Sequence, residues 1–349
     1  MQKRIVAFLL ILAAGLLLTP PSAGGEGPPA IRAASALVMS GTGEIVFDYN
    51  ADERRLIAST TKLMTALVTL EHAAPEEAVR ILPTFTAVEG SSMYLKNGED
   101  YTVRELLEGL LLASGNDAAL ALACHVAGSP EAFAVMMNEK AQALGMTGTH
   151  FANPHGLDDP AHYGTARDLG LLMAACMENA TLSALLAERS AVVREQTYIN
   201  HNKLLSLCPG CLGGKTGYTE AAGRCLVSCC EREGTRLICV TLGDPDDWTD
   251  HQELYNWAFS LYSARPVSEA LRFSVPVVGG QQAKIGIRAA EKRLFLPRSA
   301  EVTLVAHLPR FVFAPVKEGQ AAGTAEIFCN GEKIGDLALF YGENVDEAL

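Results

Sequence analysis

Three short polar clusters interrupt otherwise apolar stretches, and their residue types could carry out nucleophilic chemistry. The first is Ser59 and Lys62 in "ASTTKLMTALV". Residues three apart on a helix share a face, so the amine is placed to reach the hydroxyl. A serine at a helix start ordinarily caps it, and a capping serine is commonly matched by Glu or Gln three positions on. Lys62 is the wrong residue for that box, and a cation is disfavoured at the positive end of the helix macrodipole. A lysine held partly desolvated there has a depressed pKa and serves as a base. Ser59 would then be a nucleophile.

The second cluster is Ser114-Gly115-Asn116 in "LLLASGNDAALALA". All of these are turn formers, and alone they would mark a plain turn. Flanked by apolar helical segments, however, their side chains must find partners or face a cleft. The third is Lys215-Thr216-Gly217 in "GGKTGYT". A phosphate-binding loop, GxxxxGK[ST], would need its first glycine where Pro209 stands, so that pattern fails. Read as a strand, the segment puts Lys215 and Gly217 on one face and lets a substrate backbone approach over Gly217.

The elements around these clusters follow from periodicity. "ASALVMSGTGEIVFDYN" reads as strand, Gly turn and strand, and the Ser59 helix follows. "TVRELLEGLLLASGNDAALALACHVAG" is helical on both sides of its polar break. "PEAFAVMMNEKAQALGM", ending at Gly145, and "TARDLGLLMAACMENA" are two further helices. The period then changes, and "GGKTGYTEAAGRCLVSCCEREGTRLICVTLGD" reads as two strands with a turn near "EREGT". "WTDHQELYNWAFSLY" is a closing helix. From Arg265 onward short strands take over, and Asn330-Gly331 between apolar runs is a strong hairpin signal. A helix-rich α/β body over residues 28–264 and a small all-β domain over 265–349 are expected.

The chain has 349 residues, 49% of them hydrophobic and 19% charged, with a net charge of −12. Such an acidic body argues against nucleic acid or an anionic membrane surface as partner. "MQKR", "IVAFLLILAAGLLL" and "TPPSA" read as the three regions of an export signal over residues 1–23. An exported, extracytoplasmic protein is therefore expected. Its apolar run of 14 residues falls short of the roughly 20 that span a bilayer. Most of the nine cysteines sit in apolar stretches, where cysteine serves as a small buried hydrophobe. For Cys208 and Cys211 in "LCPGCLGG" a disulfide, half a zinc site and neither are all open, although no second CxxC accompanies them. His155 and His162 lie in loop-like "NPHGLDDPAHYG" and read as structural. No metal site is expected.

SxxK, SxN and KTG in this order form the motif set of penicillin-binding proteins and class A β-lactamases, whose middle element is SDN. The chain resembles the low-molecular-weight penicillin-binding proteins, the serine-type D-Ala-D-Ala carboxypeptidases of peptidase family S11. The resemblance runs through "LLLASGNDAA", "FANPHGLDD", "HYGTARDL", "INHNKLL" and "GGKTGYTEAAGRCLV". "FAPVKEGQAAG" and "NGEKIGDLALF" look like the family's C-terminal domain. It implies an α/β (α+β) fold of the β-lactamase/DD-peptidase type, an antiparallel sheet with a helical cluster, followed by a small all-β domain.

By the same resemblance, Ser59 attacks the penultimate D-Ala carbonyl of a peptidoglycan stem peptide and Lys62 takes its proton. Ser114 relays a proton to the leaving amine, and Asn116 holds the substrate backbone. Lys215 and Thr216 attract the terminal carboxylate, Gly217 lines the strand, and the N–H groups of Ser59 and Tyr218 form an oxyanion hole. β-Lactam antibiotics would acylate Ser59 as covalent inhibitors, and no metal or organic cofactor is implied.

Departures from the family pattern are Gly164 for Ser in "HYGTARDL" and His201 for Thr in "NHNKLL". In addition, the acidic "GDPDDWTD" stands where some members carry a carboxylate-binding arginine. "YGENVDEAL" lacks the basic amphipathic segment that anchors many relatives, so membrane attachment is left open. Alternatives on the same fold are a DD-endopeptidase or transpeptidase, a β-lactamase, and a non-catalytic wall-binding protein. The β-lactamase reading is weakened because no Glu between Asn116 and Lys215 is followed four residues later by Asn.

Overall fold

The computed structural model describes residues 27–267, 271 and 273–348; the export signal expected over residues 1–23 lies outside them. Two compact units are present. One runs to Arg232 and resumes over Arg236–Ala258; the other comprises Glu233–Thr235 and Phe259–Leu349.

In the first unit the expected hairpin forms β1 (Ser35–Ser40) and β2 (Ile45–Tyr49). A 3-10 turn over Ala58–Thr61 leads directly into α1 (Lys62–His72). The sequence reading placed Ser59 at the start of a continuous helix, whereas it lies in the tighter turn and Lys62 opens the α-helix. A short hairpin, β3 (Ala78–Arg80) and β4 (Asp100–Thr102), precedes α2 (Val103–Leu112). Thr102 and Glu105 close a reciprocal capping box at the start of α2, a device that adds about 1 kcal/mol. Then come α3 (Asn116–Ala127), α4 (Pro130–Ala143), α5 (Ala166–Glu178) and α6 (Ala180–Ala187). Gly128, at φ 81°, ends α3 in the left-handed conformation that glycine adopts without strain. A hairpin of β5 (Ser190–Val193) and β6 (Gln196–Ile199) and the single turn α7 (Leu204–Leu207) follow. The segment closes with β7 (Cys211–Thr219), β8 (Gly223–Arg232), β9 (Thr235–Leu242) and α8 (Asp247–Leu261).

The main sheet has the order β2-β1-β9-β8-β7, which leaves β7 and its Lys-Thr-Gly stretch at an edge. In the antiparallel register of β7 with β8, Thr216 faces Leu226, Gly217 faces Cys225 and Tyr218 faces Arg224. The free edge of β7 packs on the turn that carries Ser59. Helix α1 is buried from Lys62 to Thr69, as a helix apolar on all sides must be. Leu63, Met64 and Leu67 join Leu106, Leu110 and Leu122 of α2 and α3 in one core. Lys62 is thereby drawn inside with its helix. Six of the nine cysteines are buried free thiols, and Cys208 and Cys211 are not joined to each other.

The second unit contains β10 (Tyr262–Pro266), β11 (Ser274–Val278), β12 (Lys284–Ala289) and β13 (Arg293–Pro297). It continues with β14 (Val302–His307), β15 (Val312–Phe313), β16 (Ala321–Cys329) and β17 (Glu332–Tyr341). Six of these strands form a sheet of order β14-β16-β17-β12-β11-β15. Alternate residues such as Ile285, Ile287, Leu337 and Leu339 fill its core. Asn330 and Gly331 turn β16 into β17 with φ of 50° and 86°, the two positive values of a type I′ hairpin. An α/β body with an all-β domain is thus the observed architecture, as the sequence implied.

Candidate active site

The turn before α1 is tightly constrained. Ala58 has φ 45°, a left-handed value that costs a non-glycine residue on the order of 1 kcal/mol. The surroundings enforce it. Gly156 lies so close that an added Cβ would overlap the Ala58 carbonyl. Thr61 Oγ1 donates to that carbonyl at 2.8 Å and lies 2.7 Å from His162 Nε2. His162 Nδ1 accepts from the Ala152 N–H, so the ring proton sits on Nε2 and is donated to Thr61. Burial pushes the pKa of His162 down to about 4, which keeps the ring neutral in this chain of bonds. Gly164, where relatives often have Ser, packs so tightly that a Cβ would lie 3.0 Å from Ile57 Cγ2.

Lys62 Nζ lies 2.8 Å from Ser59 Oγ, 2.7 Å from Asn116 Oδ1 and 2.7 Å from the His155 carbonyl. Its side chain is wholly buried. Desolvation first, and the charge of Lys215 second, hold its pKa well below that of a free lysine, while Asp117 pulls the other way. The geometry suits the neutral amine, which has two N–H donors and one lone pair. The amide and backbone carbonyl oxygens can only accept, so they take both donors. The lone pair is left for the Ser59 hydroxyl. The macrodipole argument made from sequence thus named a real contribution, but full burial is the larger one.

Asn116 Nδ2 donates to the Glu89 carbonyl at 2.7 Å, which fixes the amide so that its oxygen meets Lys62. Gly90 permits this approach, because a Cβ there would stand 2.8 Å from Asn116 Nδ2. Ser114 takes φ 59°, and its Oγ accepts from Lys215 Nζ at 3.1 Å. Lys215 Nζ also donates to the Thr216 carbonyl at 2.8 Å. Lys215 is buried as well, and desolvation pushes its pKa down to about 7. On β7, Gly217 passes so near the nucleophile that an added Cβ would lie 3.0 Å from the Ser59 nitrogen.

Ser59, Ser114, Thr216, Gly217 and Tyr218 line a cavity of about 540 Å³. Lys62, Asn116 and Lys215 are buried side chains that bond to this group from behind. All eight residues named from sequence therefore belong to one constellation. Three contributors were missed. The His155 carbonyl is one, since a backbone acceptor leaves no mark on residue type. Asp117 is another: its carboxylate accepts from Ser92 Oγ and from the N–H groups of Met93 and Leu95, tying that loop to α3. The third is Arg224, which lines the cavity with Asp247 and Trp248. No cluster of metal-ligating side chains occurs among the described residues.

Comparison with known proteins agrees with this geometry. A family profile described as D-alanyl-D-alanine carboxypeptidase, peptidase S11, matches residues 23–246. A second, the C-terminal domain of penicillin-binding protein 5, matches residues 274–347. The chain belongs to the S11 family of D-alanyl-D-alanine carboxypeptidases. It is 30% identical to DacF of Bacillus subtilis over 373 residues, covering 99% of this chain and 96% of that protein. Penicillin-binding protein 6B of Escherichia coli superimposes with a TM-score of 0.74 at 28% identity, covering 92% of this chain and 98% of that one. The DD-transpeptidase of Streptomyces K15 superimposes with a TM-score of 0.65 at 32% identity, covering 68% of this chain and all of that one.

Proposed function

We propose that the chain removes the terminal D-Ala from peptidoglycan stem peptides through an acyl-enzyme on Ser59, and that penicillin acylates the same serine. The observation that carries this reading is the triple contact of a fully buried Lys62 with Ser59, Asn116 and the His155 carbonyl. Lys62 takes the Ser59 proton as Oγ bonds to the penultimate D-Ala carbonyl carbon. The N–H groups of Ser59 and Tyr218 receive the oxyanion, each contributing about 3 kcal/mol; the close pass of Gly217 over Ser59 supports this pairing. Collapse of the tetrahedral intermediate breaks the C–N bond. The leaving amine takes its proton through Ser114, which Lys215 holds in place. Water then hydrolyses the ester and restores Ser59.

The test is release of D-Ala from diacetyl-Lys-D-Ala-D-Ala, together with mass spectrometry after benzylpenicillin. One penicilloyl group on Ser59, absent in Ser59→Ala, is the expected adduct. Nitrocefin turnover of many per second would instead assign a β-lactamase. A wild-type protein that neither releases D-Ala nor gains the adduct would be a non-catalytic wall-binding protein.

Gly217→Ala probes the spacing of β7 from the nucleophile. The new methyl would lie 3.0 Å from Ser59 N and 3.1 Å from the Ile57 carbonyl oxygen, so the strand or the turn must move. Misplacement of this order costs roughly a hundredfold in rate. The expected result is slower penicillin acylation by about that factor, with the melting temperature little changed. An unaltered acylation rate would show that the strand does not set the geometry.

A further inference from the structure

An arginine reaches this cavity from a direction the sequence gave no reason to expect. The "GDPDDWTD" segment contains none, yet Arg224 at the start of β8 lines the cavity with Ser59, Thr216 and Tyr218. It sits directly opposite Tyr218 in the ladder. Its guanidinium is gripped from that acidic segment. Nε donates to Asp247 Oδ1 at 3.1 Å, and Nη2 donates to both carboxylate oxygens at 2.7 and 2.9 Å. Trp248 supplies a ring whose centroid is 5.3 Å from Cζ.

Asp247 is almost fully buried, whereas the arginine side chain is 39% exposed. One edge of the planar fork is therefore spent on fixing its orientation. The other edge, Nη1 with two N–H groups, donates to no group among the described residues. A fork held in this way is suited to a second carboxylate. Lys215, by contrast, is 1% exposed, and its amine is engaged with Ser114 and the Thr216 carbonyl.

We propose that Arg224, oriented by Asp247 and Trp248, receives the C-terminal carboxylate of the substrate and so makes the enzyme select free-acid peptides. The proposal rests on the carboxypeptidase reading and adds a residue to it. Thr216 then completes the anion site from β7, and Lys215 acts on Ser114 rather than on the substrate directly.

The experiment compares a D-Ala-D-Ala peptide acid with its C-terminal amide, by turnover in wild type and by calorimetric binding to Ser59→Ala. Arg224→Gln is expected to lower the acid-over-amide ratio of kcat/KM about thirtyfold, mostly through KM, the range expected for one charge-assisted bond. Arg224→Lys should recover part of it. Because Arg224→Gln leaves Asp247 buried without its partner, the double variant Arg224→Gln/Asp247→Asn and a thermal melt separate misfolding from lost recognition. Binding to Ser59→Ala, with and without Arg224→Gln, reads the same contact without turnover. An enzyme that fails to release D-Ala therefore sinks the activity, whereas a binding preference that survives Arg224→Gln sinks the anion site. An unchanged ratio would overturn the proposal, and so would a ratio that collapses in Lys203→Gln instead, since Lys203 is another cation lining the cavity.

Discussion

Lys62→Ala is expected to lower kcat/KM for D-Ala release by about a thousandfold, within the range that positioned general bases contribute. The loss should appear equally in acylation by benzylpenicillin, because both reactions begin with removal of the same proton. Lys62→Arg is the sharper variant. It keeps a cation of similar length but cannot yield a free lone pair near neutrality. If Lys62 served to attract substrate by charge, the arginine variant would retain activity. If the neutral amine is the base, it should be as inactive as alanine. The triple contact favours the second outcome, since the His155 and Asn116 oxygens accept both N–H groups and leave only a lone pair for Ser59. Asn116→Ala should show an intermediate loss, because it frees the amine to rotate without removing it.

The parts of this site that were legible in sequence are those where residue type conflicts with its setting. A lysine opening an apolar helix, a polar break between two apolar helices and a Gly-rich strand each had to be explained by partners elsewhere in the chain. What remained hidden depends on backbone or on distant pairing. The His155 carbonyl, the left-handed Ala58 and the carboxylate of Asp117 that holds the Ser92–Leu95 loop have no signature in spacing. Short paired segments such as β3 with β4 and β5 with β6 were also missed, because three or four residues are too few for alternation to show. Arg224 illustrates a different limit. The acidic segment after β9 was read as lacking a carboxylate-binding cation, and that is true of its own residues. The antiparallel register delivers the cation from β8, and Asp247, which looked unfavourable to a substrate anion, is the residue that orients it.

Removal of the Lys215 charge should change the shape of the pH profile as well as the rate. Lys215→Met is expected to reduce kcat/KM about a hundredfold, since the bond to Ser114 and a cation beside the anion site are lost together. In wild type, Lys215 is the second-largest cause of the depressed pKa of Lys62. Without it that pKa rises, so the base stays protonated to higher pH and the acid limb of kcat/KM moves toward alkaline pH. Wild type should also lose activity as pH rises through about 7, where free-enzyme Lys215 gives up its proton. Lys215→Met has no such limb, and Lys215→Arg, always charged, should keep the acid limb in place while losing the alkaline one. Stability carries the opposite signature. The folded pKa of about 7 lies below the ordinary lysine value of 10.5, so between these values the unfolded chain binds a proton that the folded chain does not. Wild-type stability therefore rises across that window relative to Lys215→Met, by on the order of 1 kcal/mol per pH unit. Below it, wild type bears the full desolvation of a buried charge and the methionine variant should melt higher. An acid limb at the same pH in both proteins, or a melting difference that does not narrow from pH 7 to 10, would show that Lys215 neither tunes Lys62 nor is itself held near neutrality by burial.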